Sequence, residues 1–172
     1  MRDMEGSTAK PREESESSGV AVAESRPQLR PVTSSDLEDI LAIEKASFAY
    51  PWSQRFFLQE LRVPCARSLL AMIEGKPVGY VIYWVLPSEI DIHNLAVDPA
   101  YRRQGIGRSL LQAVIDEAKH EGRGRITLEV RRSNEAAQRL YQSVGFVSQG
   151  IRKGYYSDDG EDAVIMALEI RR

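Results

Sequence analysis

From Asn94 to Arg108 the chain reads Asn-Leu-Ala-Val-Asp-Pro-Ala-Tyr-Arg-Arg-Gln-Gly-Ile-Gly-Arg, an order of residue types suited to holding an anion. Leu95, Ala96 and Val97 end an apolar strand and Asp98-Pro99 breaks it. Gly105-x-Gly107 then opens a helix whose apolar positions are Leu110, Leu111, Val114, Ile115 and Ala118. A helix start leaves backbone N–H groups unpaired and carries partial positive charge, and glycines let a ligand approach that backbone, so the turn suits a pyrophosphate. Arg102, Arg103 and Arg108 add positive charge. On these residues alone, an ordinary strand-to-helix turn and an anion site stand level. No Gly-Lys-Ser/Thr follows, which excludes a P-loop, and a third glycine is missing for the dinucleotide fingerprint.

Two ionisable residues could act on a substrate beside that turn. In Arg125 to Val130, Ile126, Leu128 and Val130 alternate with Thr127 and Glu129, so Glu129 sits on the polar face of a strand. It reads either as a solvated strand glutamate or as a proton acceptor. Tyr141 shares a helical stripe with Ala137, Leu140 and Val144, and reads either as a core tyrosine or as a proton donor. Asn134 caps that helix. His93 and His120 are expected at the surface or in local packing, since nothing pairs them at metal-ligand spacing, and no metal site is expected. The single Cys65, beside Pro64, excludes an internal disulfide and reads as an inert thiol in a reducing, cytoplasmic setting.

The elements that must position these residues can be read in order. Residues 1–26 are rich in Ser, Glu, Gly and Ala and are expected to be a disordered extension, leaving one domain over 27–172. A strand near Gln28–Pro31 precedes a helix opened by a capping box at Ser35-x-x-Glu38, with a buried stripe of Leu37, Ile40, Leu41, Glu44 and Phe48. A second helix follows Ser53, stapled by Trp52 and Phe57, and Pro64 closes it. Strands are expected over 67–73, 78–86 and 89–97, the second of them apolar on both faces. The glycine-opened helix stops at Gly122-Arg123-Gly124, and a short helix over 134–144 ends at Gly145. Strands over 146–156 and 163–169 close the chain around a polar turn at 157–161. The order βααβββαβαββ gives an α/β (α+β) fold, a mixed and mostly antiparallel sheet with helices on both faces.

With 172 residues, 42% hydrophobic and 28% charged, the chain has the composition of an ordinary globular domain. Four basic and six acidic side chains lie in residues 1–26, so the remainder is close to neutral against a formal total of −2. A direct nucleic-acid partner is not expected, nor is a membrane segment.

The form Arg102-x-x-Gly105-x-Gly107 after Val97-Asp98-Pro99 resembles the acetyl-CoA signature of the GNAT N-acetyltransferases. Over residues 28 to 168 the chain is similar to the RimI-type N-terminal-alanine acetyltransferases of bacteria. Pro51-Trp-Ser53, Leu128-Glu-Val-Arg131, Leu140-Tyr-Gln-Ser-Val-Gly-Phe146 and Tyr155-Tyr156 carry that likeness. It implies the GNAT fold, with a splay between strands 89–97 and 125–130 that takes the pantetheine arm. It assigns Glu129 as the base and Tyr141 as the proton donor. Acetyl-CoA would be held by Leu95, Ala96, Val97, Arg103, Gln104, Gly105, Ile106, Gly107, Arg108 and Asn134. The implied acceptor is a protein N-terminus, that of a small-subunit ribosomal protein. A lysine or small-amine acetyltransferase and a silent acetyl-CoA-binding module are the competing readings. Gly154 departs from the family pattern, in which a larger polar residue more often precedes the tyrosine pair.

Overall fold

A computed structural model describes residues 26–171. The extension expected over 1–26 lies outside the described residues except for Arg26. The described chain forms one seven-stranded sheet in the order β1-β2-β3-β4-β5-β7-β6. The strands are β1 (Gln28–Pro31), β2 (Ala66–Ile73), β3 (Lys76–Val85), β4 (Glu89–Val97), β5 (Arg125–Arg131), β6 (Val147–Arg152) and β7 (Ala163–Glu169). The helices are α1 (Leu37–Ser47), α2 (Gln54–Glu60), α3 (Ile106–His120) and α4 (Glu135–Ser143). All strand pairs are antiparallel except β4–β5, the crossover pair that α3 connects. The expected element order is therefore present.

Local chemistry sets most boundaries. Ser53 caps α2 by accepting from the Phe56 amide, and the Trp52 and Phe57 rings meet at 5.3 Å as the staple requires. Asn134 caps α4 through the Ala137 amide at 3.1 Å. At the end of α3 the Arg123 and Gly122 amides donate back to Ala118 and Lys119, with Gly122 at φ +67: a Schellman stop. Two expectations need correction. The first capping box is Thr33 with Asp36, not Ser35 with Glu38. Asp36 lies nearer β1, and its carboxylate accepts from the Thr33 amide (2.7 Å) and twice from Arg30 (2.7 and 2.8 Å), closing a short 3-10 turn ahead of α1. The strand expected over 146–156 ends at Arg152, because Gly154 turns left-handed and its amide donates to Asp162.

Two cores cover the sheet. α3 and α4 bury Ile106, Leu110, Leu111, Val114 and Tyr141 against Ile90, Ile92, Ile126, Leu128 and Val130 on one face. Each fully buried aliphatic side chain there contributes about 1.5–3 kcal/mol. α1 and α2 cover the other face with Leu37, Ile40, Ile43 and Phe57, against Leu70, Tyr80, Ile82 and Ala96.

β4 belongs to both cores. The register with β3 slips so that Ile82 faces Asn94 while Tyr83 faces Ile92, leaving His93 as an extra residue. Before this bulge Ile90 and Ile92 face α3. After it Ala96 faces α1, and Leu95 and Val97 turn toward α3 instead. Pairing of β4 with β5 ends at Ile92–Leu128, so the two strands diverge just beyond the bulge.

Candidate active site

The divergence opens a cavity of about 510 Å³ reached by side chains from both faces of the sheet. Leu95, Leu128, Val130, Ala137 and Tyr141 line it from the α3–α4 side. Glu44, Trp52, Asn94, Glu129 and Arg131 line it from the α1–α2 side. A continuous sheet would keep Glu129 and Tyr141 on opposite sides of a wall of hydrogen-bonded backbone. The splay puts both into one opening.

Glu129 is half-buried, with its carboxylate 3.6 Å from the exposed Arg152 guanidinium. Burial pushes its pKa up and the charge of Asp91 pushes it further, while Arg152 and His93 act in the opposite sense. Tyr141 is 7% exposed. Burial raises its pKa, as does the neighbouring Tyr156. The cavity is thus bounded by a carboxyl group held toward its neutral form and a phenol that resists ionisation.

Of the other expected site residues, Leu95 and Asn134 line the same cavity, whereas Ala96, Val97 and Arg103 to Arg108 are absent from its lining. The turn follows β4 directly. Arg103 and Gly105 take positive φ values of 62° and 78°, and Arg103, Gln104, Gly105 and Arg108 are exposed. The first turn of α3 leaves the amides of Ile106, Gly107 and Arg108 without intrahelical acceptors. A Cβ at Gly105 would meet no atom within 4 Å, so the open approach expected there is present.

Gly107 differs. It is buried, and a Cβ there would come within 2.9 Å of the Leu140 side chain. Its lack of a side chain lets α3 pack against α4, which corrects the expectation that it only clears a path to phosphate. Arg102, expected to add positive charge, also has a structural part: its guanidinium donates to the Val97 carbonyl (3.1 Å) and the Ser47 hydroxyl (3.2 Å), tying the turn to β4 and α1.

Three features escaped the sequence reading. Glu44, expected only as part of a buried stripe, is 1% exposed at the cavity wall. It accepts from the Trp52 amide (2.9 Å), Asn94 Nδ2 (3.0 Å) and the Tyr80 hydroxyl, joining the α1–α2 loop to β3 and β4. Arg131, quoted only as part of a motif, pairs with Asp158 (2.6 Å), Asp159 (3.0 Å) and Glu161 (3.1 Å). It lies 3.9 Å over the Tyr156 ring and so fixes the β6–β7 loop as a wall of the cavity. Burial opposes the Arg131 charge, but hydrogen bonds to these carboxylates outweigh it and raise the pKa. His93, expected at the surface or in packing, lies against Trp84 with ring centroids 4.4 Å apart and the planes tilted by 43°, and also lines the cavity. Alternating polarity pointed to Glu129; nothing local signalled Asp91, the bulge or the distant partners of Arg131. Among the described residues no three His, Cys, Asp or Glu side chains are arranged to hold a metal, and no helix is long and apolar enough to cross a membrane.

A mixed sheet split between two parallel strands, with a glycine-opened helix after the first, defines the acetyl-CoA-dependent N-acetyltransferase architecture. The acetyltransferase (GNAT) family model matches residues 37–146, and the chain belongs to that family. More narrowly, it is 42% identical over 137 residues to the [ribosomal protein bS18]-alanine N-acetyltransferase of Escherichia coli strain K12, covering 78% of this chain and 92% of that protein. It is 42% identical over 120 residues to the N-alpha-acetyltransferase RimI of Mycobacterium tuberculosis, covering 67% and 74%. The crystal structure of the Escherichia coli ribosomal-protein-S18-alanine N-acetyltransferase superposes with a TM-score of 0.78 at 38% identity, covering 85% of this chain and 95% of that one. Ard1 from Thermoplasma volcanium gives a TM-score of 0.79 at 26% identity, covering 86% and 99%.

Proposed function

We propose that this protein transfers the acetyl group of acetyl-CoA to the α-amine of a protein N-terminus, an alanine of a small-subunit ribosomal protein, in the cytoplasm. The observation that carries the chemistry is the convergence of Glu129 and Tyr141 in one cavity at the β4–β5 splay. The acceptor is supported by the 42% identity with a bS18-alanine acetyltransferase along 92% of its length.

The residues fit acetyl-CoA. The unpaired amides at the start of α3 and the side chains of Arg103 and Arg108 suit the pyrophosphate, the open space at Gly105 allows close approach, and the unpaired edge of β4 beyond Ile92 suits an amide-bearing arm. Acetyl-CoA supplies an activated acyl group. Glu129 takes the amine proton as the C–N bond forms and the C–S bond breaks; burial strengthens it as a base. Tyr141 meets the departing sulfur. With reference values of ~10 for tyrosine and ~8.5 for a thiol, full proton transfer is uphill by about 2 kcal/mol, and burial of Tyr141 adds to that. Donating a hydrogen bond to the developing thiolate is therefore its main role. Among the other charged residues of the lining, Glu44, Asp158, Asp159 and Glu161 outnumber Arg131, with which the last three pair, and that acidic excess suits an acceptor arriving as a cation.

An α-amine (~8) is about 3 kcal/mol easier to deprotonate than a lysine (~10.4), within reach of a single carboxylate. The test is competition between two peptides of one sequence, one with a free N-terminal alanine and one with that terminus blocked and a lysine inside. Acetylation of the free terminus is expected to dominate. Preference for the blocked lysine peptide would overturn the assignment.

A further inference from the structure

We propose that Asp91 and His93 on β4 are positioning residues of this site, a hydrogen-bonded pair that sets how readily Glu129 takes up the acceptor's proton. The inference rests on the reading of Glu129 as the proton acceptor.

Asp91 is the β4 residue opposite Thr127, and Glu129 stands two residues further along the same face of β5. The Asp91 carboxylate is fixed from two sides: Thr127 Oγ1 donates to Oδ1 at 3.2 Å, and His93 Nε2 lies 3.0 Å from Oδ2. The bulge presents the His93 ring to the cavity and sets it, tilted, against Trp84. Its other nitrogen, Nδ1, is 4.0 Å from Glu60 Oε2, a 7%-exposed carboxylate that also accepts from Trp84 Nε1 at 2.8 Å. His93 is thus bracketed by two carboxylates, one from α2 and one from its own strand.

Around Glu129 stand Asp91 and His93 from β4, Arg152 from β6, and Tyr155 and Tyr156 from the β6–β7 loop. Asp91 is the acidic residue among them that disfavours the Glu129 carboxylate; His93 and Arg152 favour it. A base with higher proton affinity strips an ammonium more effectively but is idle at lower pH, so the opposing members of the pair set the balance between strength and availability. Neither residue need touch the substrate to do this.

The test is the acid limb of the pH dependence of kcat/KM, with a free-amine peptide and saturating acetyl-CoA. Asp91→Asn keeps both hydrogen bonds and removes the charge, and should move the limb to lower pH. His93→Gln keeps a polar contact but removes the group that favours the Glu129 carboxylate, and should move it to higher pH. The Asp91→Asn shift should reach at least about 0.4 unit, the interaction of unit charges ~8 Å apart across one strand spacing and two residues, in water-like surroundings; the His93→Gln shift should be opposite in sign. Carbon-13 NMR titration of the Glu129 carboxyl in the same variants, each checked for acetyl-CoA binding, should show the same displacements without turnover. Opposite shifts are the signature, since damage to the fold would lower the rate without moving the limbs apart. Limbs and titrations indistinguishable from the parent, or moving in one direction in both variants, overturn the proposal. An acid limb left at the parent's pH in Glu129→Gln, instead of one moved up to the free amine's value of ~8, would remove Glu129 from the proton-acceptor role.

Discussion

Replacing Glu129 by glutamine keeps the shape of the side chain and removes its proton affinity, with opposite consequences for rate and stability. An α-amine with a pKa near 8 is roughly one-tenth unprotonated at pH 7. An enzyme without a base must wait for that fraction, so Glu129→Gln is expected to lose at least about tenfold in kcat/KM at pH 7, and up to ~10²–10⁴-fold if proton transfer is under way in the transition state. The first component vanishes above about pH 8.5, where the free amine predominates; the second persists. Stability moves the other way. Because burial and then Asp91 raise the pKa of Glu129, its ionised form is disfavoured in the folded state. That cost is absent below the ordinary glutamate value of ~4.3, grows as the pH rises through the folded-state pKa, and is complete above it. Thermal unfolding should therefore place Glu129→Gln above the parent at pH 7–8, the two converging toward pH 4. Water reaches this half-open carboxylate and Arg152 faces it, so the gain should be small, ~2–4 °C for each kcal/mol recovered. Parental activity at pH 6.5–7 would refute Glu129 as the base, and a lower Tm at pH 7–8 would refute the account of its burial.

Tyr141→Phe should lower the maximal rate by ~10–10³-fold while leaving Tm and acetyl-CoA affinity near the parent values, since no hydrogen bond to the Tyr141 hydroxyl is found among the described residues; a parental rate would make Tyr141 a core residue only. Gly107→Val drives side-chain atoms into Leu140, 2.9 Å from the Cβ position, and should cost about 1–3 kcal/mol, a fall in Tm of ~2–12 °C that a second change, Leu140→Ala, partly recovers; an unchanged Tm would show that α3 and α4 are not packed through this glycine. Asp36→Ala removes the Arg30 pair and the Thr33 cap and should cost ~1–3 kcal/mol at pH 7 by urea denaturation. The Arg30 guanidinium holds the Asp36 carboxyl well below the usual carboxylate range, so this contribution is complete above about pH 4 and should be lost only in strong acid.

What the sequence could show was whatever neighbouring residues decide among themselves. Ser53 and Asn134 cap helices because an oxygen three residues before an unpaired amide reaches it wherever the chain lies, and the β4 limits Glu89–Val97 follow from the turns on either side of it, Pro87-Ser88 and Asp98-Pro99. The capping box slipped because two boxes compete within six residues. Thr33-x-x-Asp36 prevails over Ser35-x-x-Glu38 only because β1 brings Arg30 alongside, a contact that local pattern does not contain. The same limit applied to Arg131, whose three carboxylate partners follow it by 27 to 30 residues.

The bulge at His93 is where that limit bears on function. Read with a strict period of two, Ile90, Ile92, Asn94 and Ala96 would share one face, putting Asn94 in the apolar layer against α3. One extra residue turns Asn94 instead toward Glu44 and Tyr80, and sends Leu95 and Val97 into the layer that Asn94 and Ala96 would have occupied. It falls directly after Ile92, the last residue of β4 that pairs with β5. Bulged strands bend, and a bend at the final pair of a parallel ladder separates the strands beyond it. The parallel pairing, which requires the α3 crossover, and the bulge, which ends that pairing early, together create an opening through the sheet immediately before the helix start that follows β4. Restoring a two-residue period by deleting His93 would return β4 to its continuous face, close the distance to β5, and put the wall of paired backbone back between Glu129 and Tyr141.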